Sequence, residues 1–211
     1  MKYLNYSMFG VAGICFLCVY LSMTASTQNN QAAGAEVGVA VGKPAPAFSL
    51  TDQDGKTVNL SDFSGKVIVL EWVNPACPIV QRHYKAGTMI DLYTQYKDKG
   101  IVWLSINSTS TDTNDADKKW ATDQKVPWPV LSDASGATGH AYGSTNTPGM
   151  FVVGADGTVK YKGAIDNDPQ GAHAATDRVN YVKQALDENH AGKPVSAPET
   201  KQYGCTVKYA S

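Results

Sequence analysis

Arginine is nearly missing from this chain. Of 18 basic residues only Arg82 and Arg178 are arginines, and the lysines form no dense block. Against 19 acidic residues they leave a formal net charge of -1, so the sequence lacks the basic patch by which proteins hold a phosphate backbone. No nucleic-acid partner is expected. Histidine is scarce too: His83, His140, His173 and His190 show no metal-ligand spacing, which argues against a metal site and leaves surface positions as the default for the last three. No segment repeats another. The apolar run from Met8 to Met23 falls short of the about 20 residues that a bilayer span needs. Cysteine is limited to four residues, and Cys15 and Cys18 lie in that run. Outside it only Cys77 and Cys205 remain.

What is present begins with an export pattern. Lys2 precedes the apolar run, and Ser, Thr and Ala follow it where a signal peptidase would cut near Ala25. Residues 1–25 therefore read as a signal peptide, with a retained N-terminal anchor as the alternative and as the only source of membrane association. The Cys15-x-x-Cys18 pair reads as small apolar residues of that segment, since no other ligand lies nearby. Export to a periplasm or to the outside would place Cys77 and Cys205 in an oxidising compartment. Residues 26–36 are small, polar and aperiodic, as in a linker. One domain is expected over residues 37–192, and residues 193–211 form a C-terminal tail carrying Cys205.

From Val37 onward strand and helix patterns alternate. Val67 to Val73 is an almost continuous β-branched and aromatic run, as in a central strand covered on both faces. Cys77 follows, and Pro78 takes a first helical position, where a missing N–H costs nothing. That helix is expected to run to about Lys97, with Gly100 ending it. Ile101 to Asn107 reads as a second buried strand and Asp115 to Lys125 as a short helix. Val130-Leu131-Ser132 leads into another short helix around Ala134 to Tyr142. Gly149 to Gly154 and Thr158 to Gly163 flank the Ala155-Asp156-Gly157 turn as a hairpin. Thr176 to Asn189 is the last helix, with Gly192 just past it, and the tail is irregular up to Cys205. Helices joining strands imply parallel pairs, and the closing hairpin makes the sheet mixed, giving one α/β domain.

Cys77 thus sits where a buried strand turns into a helix, a place at which free backbone N–H groups and the helix dipole favour thiolate over thiol. A stabilised thiolate is a nucleophile. Six residues earlier Glu71 interrupts the apolar strand. Buried, its carboxyl would have a raised pKa and could trade protons during thiol chemistry; at a strand end it would reach solvent or pair with a lysine. Asn74 either bonds the oxidised sulfur or forms the turn before Pro75. Trp72 reads as core or rim, with the wall of a substrate pocket as the alternative. His83, six residues past Cys77, points to another helix face and is not the thiolate's partner. Asp166 follows the last strand, where it forms a turn or approaches the site.

Several motifs in order carry a family resemblance. Gly42-Lys-Pro-Ala-Pro46-Ala-Phe48-Ser-Leu50-Thr-Asp52, Gly55 and Leu60-Ser-Asp-Phe63-Ser-Gly65-Lys66 precede the Cys77 strand. Leu131-Ser-Asp133, Ala141-Tyr-Gly143, Thr147-Pro148-Gly-Met-Phe151-Val-Val153 and Asp156-Gly157-Thr-Val follow it. Over roughly residues 40 to 165 this resembles the thioredoxin-like redoxins, in particular the AhpC/TSA (peroxiredoxin-like) and TlpA-type branch. The resemblance implies a thioredoxin-like fold, a central mixed β-sheet flanked by helices, with an N-terminal β extension and a C-terminal tail. It also implies that Thr147-Pro148 is a cis-proline loop against the active-site cysteine, its backbone edge open to a substrate chain. An acidic residue stands at the offset of Glu71 in thioredoxins, and a Gly-Cys near the C-terminus accompanies the Asn-Pro-x-Cys-Pro site in some redoxins.

Departures from the family narrow the chemistry. A C-x-x-C dithiol would need cysteine where Val80 stands, so fast resolution within one helix turn is absent. The peroxide-orienting pattern P-x-x-x-T-x-x-C is broken at Leu70 and Asn74, and a distant arginine is not evident. Cys205 can supply what Val80 cannot, resolving a Cys77 sulfenate or mixed disulfide from the tail, because loop closure grows costly only slowly with length. The sequence equally permits an inert staple between the two cysteines. The expectation is an exported, antioxidant-type oxidoreductase acting on a disulfide-bearing protein or a peroxide. Its catalytic residues are Cys77, Cys205 and Glu71, and its substrate-binding residues Asn74, Thr147, Pro148 and Trp72. Disulfide chemistry ranks ahead of peroxide chemistry. An external thiol would donate electrons, and no metal, haem or nucleotide cofactor is implied. The alternative is a redox-inactive binding module with a structural Cys77–Cys205 bridge. Metallochaperone work lacks the needed C-x-x-x-C and paired histidines.

Overall fold

The computed structural model describes residues 38–210; the expectations for the signal peptide, the linker, Val37 and Cys15-x-x-Cys18 lie outside them. The organising element is β3 (Ile68–Trp72), buried from end to end. Successive side chains leave a strand on opposite faces. Ile68, Leu70 and Trp72 therefore join one apolar cluster, while Val69 and Val73 join a second across the sheet.

β4 (Val102–Asn107) runs parallel to β3, and β5 (Val130–Ser132) parallel to β4. On the other side β7 (Gly149–Val153) and β8 (Val159–Gly163) add the antiparallel hairpin. A β1 (Ser49–Asp52) and β2 (Thr57–Asn59) hairpin extends the far edge through antiparallel pairing of β1 with β5. The strand order is β2-β1-β5-β4-β3-β7-β8, a mixed sheet with its helices packed against it. The expected thioredoxin-like α/β architecture, N-terminal β extension included, is the one observed.

Three helical boundaries differ from expectation. The helix after Cys77 is two helices, α1 (Pro78–Lys85) and α2 (Thr88–Tyr96), because Gly87 adopts φ 73° between them. After α3 (Asn114–Asp123), α4 begins only at Ala137 and ends at Tyr142. The Asp133 carboxylate accepts from the Thr138 and Gly139 amides at 3.2 and 2.9 Å, fixing its start. α5 (Tyr181–His190) starts five residues later than expected. Asn180 caps it, accepting from the Lys183 amide at 2.8 Å, while Asn167 and Val179 bond each other and hold the preceding segment extended.

The tail is irregular up to Cys205, as expected, and touches the sheet edge through one isolated bridge between Glu199 and Lys162. Lys162 N–H donates to Pro198 O and Thr200 N–H to Lys162 O at 3.0 and 3.1 Å. The chain then pairs as β9 (Cys205–Thr206) with β6 (Asn146–Thr147), antiparallel. No helix among the described residues is long and apolar enough to cross a membrane.

Candidate active site

Cys77 is the N-cap of α1, with Pro78 at the first helical position. Its backbone N–H donates to Asn74 O at 2.9 Å, and its own carbonyl accepts from Gln81 N–H at 3.0 Å, so the side chain stands at the mouth of the helix dipole. The side chain is 2% exposed and belongs to the apolar cluster on the α1 side of the sheet. Burial opposes ionisation, yet hydrogen bonds from Cys205, the Val80 amide, Thr147 and the Cys205 backbone outweigh it and hold the Cys77 thiol below its ordinary range.

The Thr147-Pro148 bond is cis, and Cys77 Sγ lies 3.2 Å from Thr147 O. The expected open edge at Thr147 is occupied: Cys205 is its register partner in the β6–β9 ladder. That pairing brings Cys205 Sγ to 2.6 Å from Cys77 Sγ, both as free thiols, against a disulfide bond of about 2.05 Å. Burial, then the contact with Cys77, push the Cys205 thiol up, opposite to the shift of Cys77.

Two glycines make this seat. Gly204 has φ 107°, and a Cβ there would stand 2.1 Å from Thr147 O. At Gly163, φ 151°, a Cβ would meet Thr200 Oγ1 at 2.2 Å. Neither gap tolerates a side chain. Gln202 Oε1 accepts from the Thr145 and Asn146 amides at 3.0 and 3.1 Å, and Val207 N–H donates to Thr145 O at 3.0 Å. Beyond it, Tyr209 stacks on His140 with ring centroids 4.0 Å apart and donates to Ser144 O at 2.6 Å.

Glu71 is fully buried on the Cys77 face of β3. Its Oε2 accepts from Tyr84 OH and Trp103 Nε1, each at 3.0 Å, and from Ser105 Oγ at 3.2 Å, while its Oε1 has no protein partner. Desolvation raises its pKa to about 7 against the opposing pull of those three donors. The lysine-paired or solvent-reaching alternative is excluded by its position in a central strand.

Asn74 Oδ1 accepts from Ala76 N–H at 2.8 Å, so its side chain closes the turn before the helix instead of bonding sulfur. Trp72 does not line a pocket. One residue after Glu71, it points to the opposite face, is fully buried between Tyr142 and Phe151, and donates to Ser108 Oγ at 3.1 Å.

Sequence reasoning set His83 aside and missed Tyr203. The structure brings both together with Asp166. Tyr203 OH donates to Asp166 Oδ1, since a carboxylate can only accept. Its oxygen also lies 3.0 Å from His83 Nε2, a ring nitrogen shared with the Arg82 guanidinium at 3.3 Å, and His83 Nδ1 lies 3.4 Å from Thr88 Oγ1. Burial lowers the His83 pKa to about 4 and keeps the ring neutral. Asp166 also accepts from Asp168 N–H at 2.9 Å, so it forms its turn and holds the tail as well. The signal in the sequence was Tyr203-Gly204-Cys205, an aromatic hydroxyl and a glycine directly before the cysteine. His140, His173 and His190 are exposed, and no cluster of metal-ligating side chains occurs among the described residues.

Residues 41–162 match the AhpC/TSA family. The chain belongs to that family. Among relatives, the thiol-disulfide oxidoreductase ResA of Bacillus thuringiensis subsp. konkukian is 32% identical over 119 residues, 56% of this chain and 66% of that protein. The match therefore spans just under two thirds of that relative's length. A hypothetical protein of Sinorhizobium meliloti 1021 superposes with a TM-score of 0.71 at 22% identity, covering 82% of this chain and 97% of its own. A DsbE-type thiol:disulfide interchange protein of Chlorobium tepidum gives 0.55 at 22%, covering 74% and 98%. At these identities the two structures bear on the AhpC/TSA fold alone, which they support as thioredoxin-like.

Proposed function

We propose that this chain is a thiol–disulfide oxidoreductase in which Cys77 is the nucleophile and Cys205 the resolving thiol. The observation that carries it is the 2.6 Å approach of Cys205 Sγ to a Cys77 sulfur whose pKa is held down at a helix N-terminus. A Cys77 thiolate attacks a substrate disulfide, the released half leaves as a thiol, and Cys205 displaces the bound half to leave a Cys77–Cys205 disulfide. An external thiol then returns the pair to its reduced state. Disulfide-bearing proteins fit as substrates better than peroxides. Asn74 stands where a peroxide-orienting threonine would be. Arg82 donates instead to Pro169 O and Asp168 O at 3.0 and 2.9 Å, and Arg178 pairs with Asp168 at 3.1 Å. The apolar run after Lys2 supports export as the route to an oxidising compartment, where such exchange has substrates.

Glu71, with a pKa near neutrality, is the group we assign to proton exchange in the buried half of the site. Thr147 and Pro148 contribute the edge against which the exchanging sulfur is aligned. The test is the reduction potential of the pair in the purified chain, read by alkylation and mass spectrometry across a glutathione series. A value between about -120 and -270 mV belongs to working exchange proteins. A bridge still closed below about -300 mV would make it a staple and return the protein to the binding-module reading.

A further inference from the structure

The two sulfurs of the pair differ in what can reach them. Cys77 is 2% exposed inside an apolar cluster, whereas Cys205 is partly exposed and flanked by exposed Gly204 and Thr206. Displacement at sulfur needs the nucleophile to approach opposite the leaving sulfur. At Cys77 that approach would have to come through packed side chains; at Cys205 one flank faces water.

The tail is held on both sides of Cys205, so this asymmetry is fixed while it is docked. Tyr203 bonds His83 and Asp166 before it, and Val207, Lys208 and Tyr209 bond Thr145, Ser110 and Ser144 after it. The β9 strand also fills the cis-proline edge, so no extended polypeptide can pair there beside Cys77 while the tail is seated.

We propose that the electron-donating thiol enters at Cys205, with the tail docked, and expels Cys77. This rests on the exchange reading above and deepens it by assigning the attacked sulfur. A donor thiolate forms a bond to Cys205 Sγ, the Cys77–Cys205 bond breaks, and its electron pair leaves on Cys77 as thiolate. A second donor thiolate attacks the donor's own sulfur in that mixed disulfide. The donor disulfide departs, and Cys205 leaves as a thiolate that takes one proton. Two donor thiols are oxidised and one protein disulfide is reduced. The chemistry points the same way as access, because the more acidic thiol is the better leaving group and Cys77 is the one held down. The arrangement inverts that of a C-x-x-C site with its first cysteine exposed: the resolving cysteine becomes the door for the donor, and Cys77 meets a new substrate only when the tail lifts.

The experiment uses the full oxidised chain, mixed with glutathione and quenched in acid from milliseconds to seconds. Free thiols are then alkylated and the peptides mapped by mass spectrometry. At the earliest times glutathione is expected on the Cys205 peptide at least about tenfold over the Cys77 peptide, with Cys77 alkylated in the same molecules. Glutathione mainly on Cys77, or spread evenly, overturns the proposal and leaves the exchange reading standing. Failure of the oxidised chain to contain a Cys77–Cys205 bond overturns the exchange reading itself. As a control on cause, Gly204→Ala unseats the tail and should bring the preference to within about threefold. A tenfold preference surviving in that variant would mean that docking is not its origin.

Discussion

The two cysteines are built in opposite ways. The backbone seat of Cys77 is local: a buried strand, a five-residue turn closed by Asn74, and a helix opened by Pro78. Everything around Cys205 is borrowed from distant segments, the β6 edge, the His83 ring and the Asp166 turn. One thiol is held down by its bond to Cys205 and by the Val80 amide of the helix that starts beneath it; the other is pushed up by burial and by its neighbour. A nucleophile that must be fixed is placed by rigid elements, and a resolving thiol that must come and go is placed by a strand of two residues with few buried contacts of its own.

The sharpest way to break the comparison is to remove each sulfur. Cys77→Ser should abolish exchange with a disulfide substrate, whereas Cys205→Ser should leave a first attack intact and trap the substrate on Cys77 as a stable mixed disulfide, visible on a non-reducing gel. If both variants trapped substrate equally, the division of roles would fail.

Next in size is Gly204→Ala. Forcing a side chain into φ 107° costs about 1–3 kcal/mol before its contact with Thr147 O is counted, roughly a 5- to 150-fold loss of docked tail. Closure of the Cys77–Cys205 bond should slow accordingly in an oxidant-jump measurement. Thermal unfolding of the main sheet should barely move, because the tail lies outside the two apolar clusters save for contacts at its rim.

Much of the Cys77 half was legible because its determinants are sequential. An apolar run, a turn residue and a proline after the cysteine fix strand, turn and helix start without reference to the rest of the chain. Thr147-Pro148 was readable only through family resemblance, since nothing in two residues says that a peptide bond is cis. Trp72 is core, as its first reading had it; its alternative as a pocket wall fails by one strand position, the difference between the Glu71 face and its opposite. Glu71 itself was left open between burial and exposure, and the choice depends on β4 and β7 lying on both sides of β3, which no local pattern carries. The seat of Cys205 was the least readable part, because the tail has no periodicity and its register is fixed by two glycine contacts and a tyrosine hydroxyl.

Glu71→Gln separates the buried half of the site from the tail by its pH dependence. With an ordinary carboxylate pKa of 4.5 unfolded and about 7 folded, the native state holds the proton more tightly. Its contribution is fully present below pH 4.5, declines as pH rises from 4.5 to 7, and is level above. The loss amounts to about 3 kcal/mol at 1.36 kcal/mol per pKa unit. The variant should match the parent chain near pH 4.5 and gain on it by up to about that amount above pH 7 in denaturant titrations. Its exchange rate should also lose the inflection near neutrality. A stability difference independent of pH would show that Glu71 is not the group titrating there.

The smallest change is Tyr203→Phe, which keeps the ring and deletes the hydroxyl between His83 and Asp166. The docked tail would then lose the hydroxyl's bond to Asp166 and its contact with His83 Nε2, a loss of about 1 kcal/mol, so docking should weaken about fivefold. Alkylation of Cys205 in the reduced protein should speed up by a similar factor while that of a Cys205→Ser control at Cys77 does not. The decisive readout is His83 itself. Burial holds its pKa near 4, so the stability it lends is present at neutral pH and lost as pH falls from its usual 6.5 toward 4. If Tyr203 keeps water from that ring by holding the tail in place, the His83 titration followed by NMR should move upward in Tyr203→Phe. Should it stay near 4, the ring would be buried by α1 and its neighbours alone, and the tail would owe its seat to the β6–β9 ladder and Gly204 without help from the tyrosine.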